Sequence, residues 1–103
     1  MAVRTKVFYD GLLPTSKGTL FTVPASSDDI PAVASFHNVN AATQTVVVYA
    51  NPSGTSRIIA RFQLLQNETA RVHLPPLEAA DLVEGETTTA SAVHGLIAGV
   101  ERV

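Results

Sequence analysis

An all-β fold, an antiparallel β-sandwich of jelly-roll-like type in a single domain, is what this sequence predicts. Two observations carry the prediction. Short β-type segments recur at close, even spacing along the chain, each bounded by Gly, Pro, Asn or Ser, which is the mark of a small sandwich or barrel. Within several of them apolar and polar residues alternate, so one face of each strand is dry and the other wet. The segments fall at 3–9, 19–23, 32–39, 43–50, 57–64, 69–74, a weaker 79–83, and 92–102, giving about seven to eight strands.

The first segment opens the chain, and residues 1–6, with Arg4 and Lys6 beside Val3 and Val7, read as an extended N-terminal arm able to clamp a partner by edge pairing. Residues 10–18 and 24–31 read as loops, because Pro blocks interior strand pairing while Gly, Asp and Ser supply turn chemistry. Asn51-Pro52-Ser53-Gly54 lies between two strong strands and reads as a hairpin turn, with Gly54 at a position of positive φ. A second turn at residues 65–68 predicts that the segment 57–64 also pairs with 69–74, so that three successive strands form a meander.

Alternation assigns the faces. Ala70, Val72 and Leu74 point inward, and Thr69, Arg71 and His73 outward. In the segment before, Ile58, Ala60, Phe62 and Leu64 form the inner row, leaving Ile59 as an outward apolar residue that can touch another chain. The segment 43–50 is apolar in both rows, Val46 and Val48 against Val47 and Tyr49, and so is covered on both faces. The last segment mixes Val93 and Ile97 with Leu96 and Val100, and Gly95 and Gly99 leave room for another backbone to approach.

Composition removes several function classes. The 103 residues make one domain over 1–103 with a modest core. Only 16% are charged, against roughly 25% in ordinary soluble domains, so part of the surface is uncharged and suited to an interface. A net charge of −2 with seven scattered Lys and Arg argues against nucleic acid as a partner. Cysteine is absent, which excludes disulfides, thiolate metal sites and a Cys nucleophile. No stretch approaches the ~20 apolar residues that span a bilayer as a helix. The first residues lead into a strand pattern rather than a signal region, so the expectation is synthesis in a cytoplasm and no membrane partner.

Chemistry-bearing clusters are scarce. His37, His73 and His94 fall on three different segments, with no second His or carboxylate at a metal-ligand spacing. They read as solvated or interface histidines, so neither a metal nor any other cofactor is expected. Asp28-Asp29 lacks the glycine and distal glutamate of a calcium loop. Glu78, Asp81, Glu84 and Glu86 form an acidic stretch suited to solubility or to a basic partner. No nucleophile elbow or phosphate loop occurs, and catalysis is not expected. The aromatic residues Tyr9, Phe21, Phe36, Tyr49 and Phe62 read as core, and Phe8 as the outward member of the first strand.

One resemblance adds to this. Gly11-Leu12-Leu13-Pro14-Thr15-Ser16, then Gly18-Thr19-Leu20-Phe21-Thr22-Val23-Pro24-Ala25, then residues 34–40, the valine run 45–49, and Ala79-Ala80-Asp81-Leu82-Val83-Glu84-Gly85 follow one another in an order that resembles small β-sandwich structural proteins of tailed bacteriophages. In those proteins a "Gly-Asp-x-Ile/Leu-x-Gly" phrase precedes the closing strand; here Ala79-Ala80-Asp81 stands in its place. The resemblance covers roughly residues 8 to 101 and rests on β-sandwich punctuation. It implies a non-enzymatic virion component. The expectations are a capsid decoration (cement) protein on the head surface, a homotrimer, and the major capsid protein as partner. Interface candidates are Arg4, Lys6, Tyr49, Ile59, Leu96 and Val100. Two other classes compete: a tail, fibre or carbohydrate-binding module, which needs an exposed aromatic platform such as Phe8, and a small metal enzyme, which needs the three histidines to converge.

Overall fold

In the computed structural model, residues 3–23, 29–51, 55–78 and 80–102 are described. Eight strands follow one another: β1 (Val3–Leu12), β2 (Gly18–Thr22), β3 (Asp29–Asn38), β4 (Gln44–Ala50), β5 (Arg57–Leu64), β6 (Thr69–His73), β7 (Leu82–Thr87) and β8 (Val93–Arg102). They form two four-stranded antiparallel sheets, ordered β1-β8-β3-β6 and β2-β7-β4-β5. Among the described residues no helix is long and apolar enough to cross a membrane.

The order has a simple logic. β4 pairs with β5, β3 with β6, β2 with β7 and β1 with β8, as if the chain first closed into one long hairpin whose innermost strands are β4 and β5. Rolling that hairpin adds the pairings β3 with β8 and β4 with β7, which produce the two sheets. This is the jelly-roll arrangement of a β-sandwich.

The core lies between the sheets. Ala34 and Phe36 of β3, Val93 and Ile97 of β8, Val46 and Val48 of β4, Leu64 of β5 and Val83 of β7 are all essentially inaccessible to solvent. Two tilted aromatic pairs join sheet to sheet: Phe8 with Phe21 at 4.9 Å, and Phe36 with Phe62 at 5.9 Å between ring centroids. Buried polar groups are few and hydrogen-bonded. Asn38 donates through Nδ2 to the carbonyls of Ala42 (3.0 Å) and Leu64 (2.9 Å), and its Oδ1 accepts from the amide of Asn40 (2.8 Å). It thereby ties the end of β3 in one sheet to the end of β5 in the other. Gln44 likewise accepts from the Thr89 amide at 3.0 Å, fixing the turn between β7 and β8.

Several expectations need correction. The meander stops at two strands, because β6 pairs with β3 rather than with β5. The turn at 65–68 is real, with Asn67 at φ 63° and the Glu68 amide bonded to the Leu65 carbonyl, but it carries the chain across to the opposite sheet. What holds the turn is β3, since the Asn67 amide donates to the Asn38 carbonyl and the Asn38 amide to the Glu68 carbonyl.

Ile59 is turned inward against the core, and Ile58 is the exposed residue at 55%. The cause is a β-bulge: Val48 faces Ala60 but Tyr49 faces Ile58, so β5 carries one extra residue and its alternation reverses there. A second bulge, between Val7 and Tyr9, brings Phe8 inward onto Phe21 instead of outward. Residues 3–6 are part of β1, paired with β8, and not a free arm. β1 also continues to Leu12, β3 starts at Asp29, and the weak seventh segment is displaced to Leu82–Thr87. Gly54 and Asp28 lie outside the described residues.

Candidate functional site

The two outer sheet faces differ in chemistry. On the second sheet, the strand centre Val47 is itself nearly buried, hemmed by Arg61 on β5 and Glu86 on β7, which lie directly opposite it in register. Beside it the Tyr49 phenol donates to Glu86 Oε1 at 2.6 Å, and the Lys17 ammonium sits 4.6 Å from the centre of the Tyr49 ring. Lys17 also bonds Ser56 Oγ at 2.9 Å and lies 3.8 Å from Glu84. The hydrogen bond to Glu86 holds the Tyr49 phenol above its ordinary pKa, with desolvation adding to the effect. A depression of about 360 Å³ opens on this face, lined by Thr15, Thr45, Val47, Arg61, Glu86 and Thr88 among others. Of its two charged residues, Glu86 is already engaged by the Tyr49 phenol. Three of the four carboxylates of the acidic stretch have partners inside the molecule: Glu84 on Lys17, Glu86 on Tyr49, and Asp81 on the Glu78 amide (2.8 Å).

The outer face of the first sheet is apolar through its middle. Strand alternation places Leu96, Ala98 and Val100 of β8 on this side, with Val7 opposite Ala98 on β1 and Val33 opposite it on β3. Ile30 faces Val100. Val7 is 54% and Ile30 41% exposed, so the strip is open to solvent. Gly99 makes the strip's backbone continuous, for a Cβ there would lie 2.0 Å from the Ile30 carbonyl oxygen and 2.9 Å from Pro31 Cα. Here β3 bulges between Pro31 and Val33 and presses onto β8, the close approach that Gly99 permits.

One end of the same face is polar. His37 of β3 lies directly opposite His94 of β8, and Thr69 of β6 opposite His37. Asp10 Oδ1 meets His94 Nε2 at 2.5 Å, and Thr69 Oγ1 meets His37 Nδ1 at 2.6 Å. Ser35, Phe36, His37, Thr69, His94 and Leu96 line a cavity of about 230 Å³. His73 stands on the same strand as Thr69, opposite Val33 and away from the pair. Among the described residues no group of three or more His, Asp or Glu is arranged to hold a metal ion.

The six interface candidates are therefore dispersed. Leu96 and Val100 lie on the apolar outer strip, Tyr49 on the opposite outer face, and Ile59 against the core. Lys6, opposite Gly99, is on the other side of its sheet from Val100; its ammonium pairs with Glu101 at 2.6 Å and stands 5.7 Å from the Phe8 ring. Arg4 is on β1 opposite Glu101, with its side chain outside the described residues. Sequence reasoning missed Val7, Ile30 and Val33 as members of the strip. Their clustering depends on β1 and β3 flanking β8, which pairs segments far apart in the chain. No protein-family model and no curated protein matches this chain.

Proposed function

We propose that this chain is a non-enzymatic structural protein of a bacteriophage virion, a capsid decoration protein that binds the outer surface of the head. The observation that carries the reading is the solvent-open apolar strip of Val7, Ile30, Val33, Leu96, Ala98 and Val100 on a rigid four-stranded sheet. Strips of this kind on small proteins mark interaction surfaces. A cement protein acts by touching several capsid subunits at once, which needs a stiff scaffold and repeated weak contacts rather than a reactive centre. The jelly roll serves viral capsid proteins and also lectins, so the architecture accords with the reading without selecting it. The order of turn phrases that resembles phage structural proteins supplies the choice between them. In this reading the protein acts as a homotrimer, the major capsid protein is the partner, and the location is the capsid surface.

The carbohydrate-binding alternative loses its candidate platform, since Phe8 is packed on Phe21 and the Tyr49 ring is covered by Lys17. Co-sedimentation of the purified chain with undecorated phage heads tests the proposal. Leu96→Glu and Val100→Glu place carboxylates on the strip and are expected to weaken retention at least tenfold, about 1.4 kcal/mol, while leaving the thermal midpoint close to that of the parent. Retention unchanged in both would show that this face does not dock. Light scattering on the eluted protein reads the subunit number, with a mass near three chains expected.

A further inference from the structure

We infer that the His37–His94 pair on the outer face of the first sheet is a binding site for an imidazole-seeking divalent transition metal, Zn²⁺, Ni²⁺ or Cu²⁺. The inference is independent of the capsid reading and rests on geometry alone. Directly opposed residues on antiparallel strands hold their Cβ atoms about 4.5–5.5 Å apart, which brings the two imidazoles within reach of one ion. Each ring already has one nitrogen engaged by an oxygen: His94 Nε2 by Asp10, His37 Nδ1 by Thr69. That leaves His94 Nδ1 and His37 Nε2 without a hydrogen bond to any described residue. An oxygen partner on the non-ligating nitrogen is the ordinary support of a metal-bound histidine, because it fixes the tautomer and raises the basicity of the other nitrogen.

His94 on β8, His37 on β3 and Thr69 on β6 lie in register across three strands, and Asp10 of β1, which faces Leu96, reaches His94 diagonally. Supporting oxygens flank the two ligand positions. The rings share a cavity of about 230 Å³, and the His94 side chain is 43% exposed, so an ion and its waters have access. Two imidazoles leave coordination positions for water or for a donor from a docked surface. The nitrogen set favours zinc, nickel or copper over magnesium or calcium, which select oxygen ligands.

Isothermal titration calorimetry of untagged protein with ZnSO₄, at about pH 8 where free imidazole is neutral, tests this. The expected result is one Zn²⁺ per chain and no heat with Mg²⁺. His37→Asn and His94→Asn each abolish the binding, while His73→Asn leaves it intact. Asp10→Asn, acting through His94, is expected to weaken it by about 10- to 100-fold. Carbon-detected spectra of the imidazoles provide a second readout that does not depend on the variants folding: Zn²⁺ should shift His37 and His94 and leave His73 in place. No binding to the folded parent protein, or binding by either single variant as tight as the parent's, overturns the assignment.

Discussion

At the scale of single residues, three positions carry more weight than their neighbours. Ala80 has φ 70°, a left-handed conformation that costs an L-residue with a Cβ about 1–2 kcal/mol. It is held there because its amide donates to Val23 while the next amide, of Asp81, returns to Glu78. Ala80→Gly should raise stability by about 0.5 kcal/mol after glycine's greater unfolded-state entropy is deducted, read as a small rise in the urea midpoint. Asn38 is the opposite case. Asn38→Ala strands the Ala42 and Leu64 carbonyls and the Asn40 amide in or near the core, and a loss of about 3 kcal/mol is expected in denaturant unfolding.

Tyr49 supplies a pH dependence. Because the hydrogen bond to Glu86 raises its phenol pKa in the folded state, the neutral phenol is favoured by folding. That stabilisation is complete below the ordinary phenol pKa of about 10 and disappears as pH rises through the raised folded value. Tyr49→Phe should therefore lower stability at neutral pH and show a shallower decline than the parent as pH rises above the ordinary phenol value of about 10. Parallel alkaline curves for the two proteins would contradict the linkage.

At the scale of elements, the bulges decide the chemistry of the faces. Strand existence was legible in the sequence from β-branched runs and turn residues, and the inward set of β6, Ala70, Val72 and Leu74, follows from simple alternation. Alternation failed at Phe8 and at Ile58 and Ile59, because a single inserted residue reverses every facing beyond it, and nothing local in those runs marks the insertion. Gly99 was readable as a place of close backbone approach, and the approaching backbone is β3 at its own bulge. Two glycines of β8 thus make a matched test. Gly99→Ala drives a methyl into backbone and should cost about 3 kcal/mol, whereas Gly95→Ala meets side chains rather than backbone, Leu13 at 3.2 Å and the Phe36 ring at 3.4 Å, and should cost about 1 kcal/mol. Equal thermal shifts for the two variants would show that the β3 bulge can relax.

At the scale of the whole molecule, the rolled hairpin explains what the sequence could not display. A reader of local pattern pairs β5 with β6 because they are neighbours joined by a short turn, yet rolling the long hairpin sends them to opposite sheets. The same rolling places β8 between β1 and β3, and only then do residues near 7, 33 and 98 form one strip, and residues 37, 69 and 94 one row with Asp10 reaching its end. Both proposed binding features are products of long-range pairing, so neither has a motif. The dominance of such pairings also predicts slow folding, in the millisecond-to-second range typical of sandwiches, measurable by stopped-flow fluorescence of the two tyrosines.

The docking face is the central claim, and electron cryo-microscopy of phage particles purified from the lysate in which this protein is made tests it most directly. The account predicts many copies on the outside of the head, each with the β1-β8-β3-β6 sheet turned toward the capsid subunits. A few copies confined to the tail, none on the particle, or copies that present this sheet to solvent would contradict it.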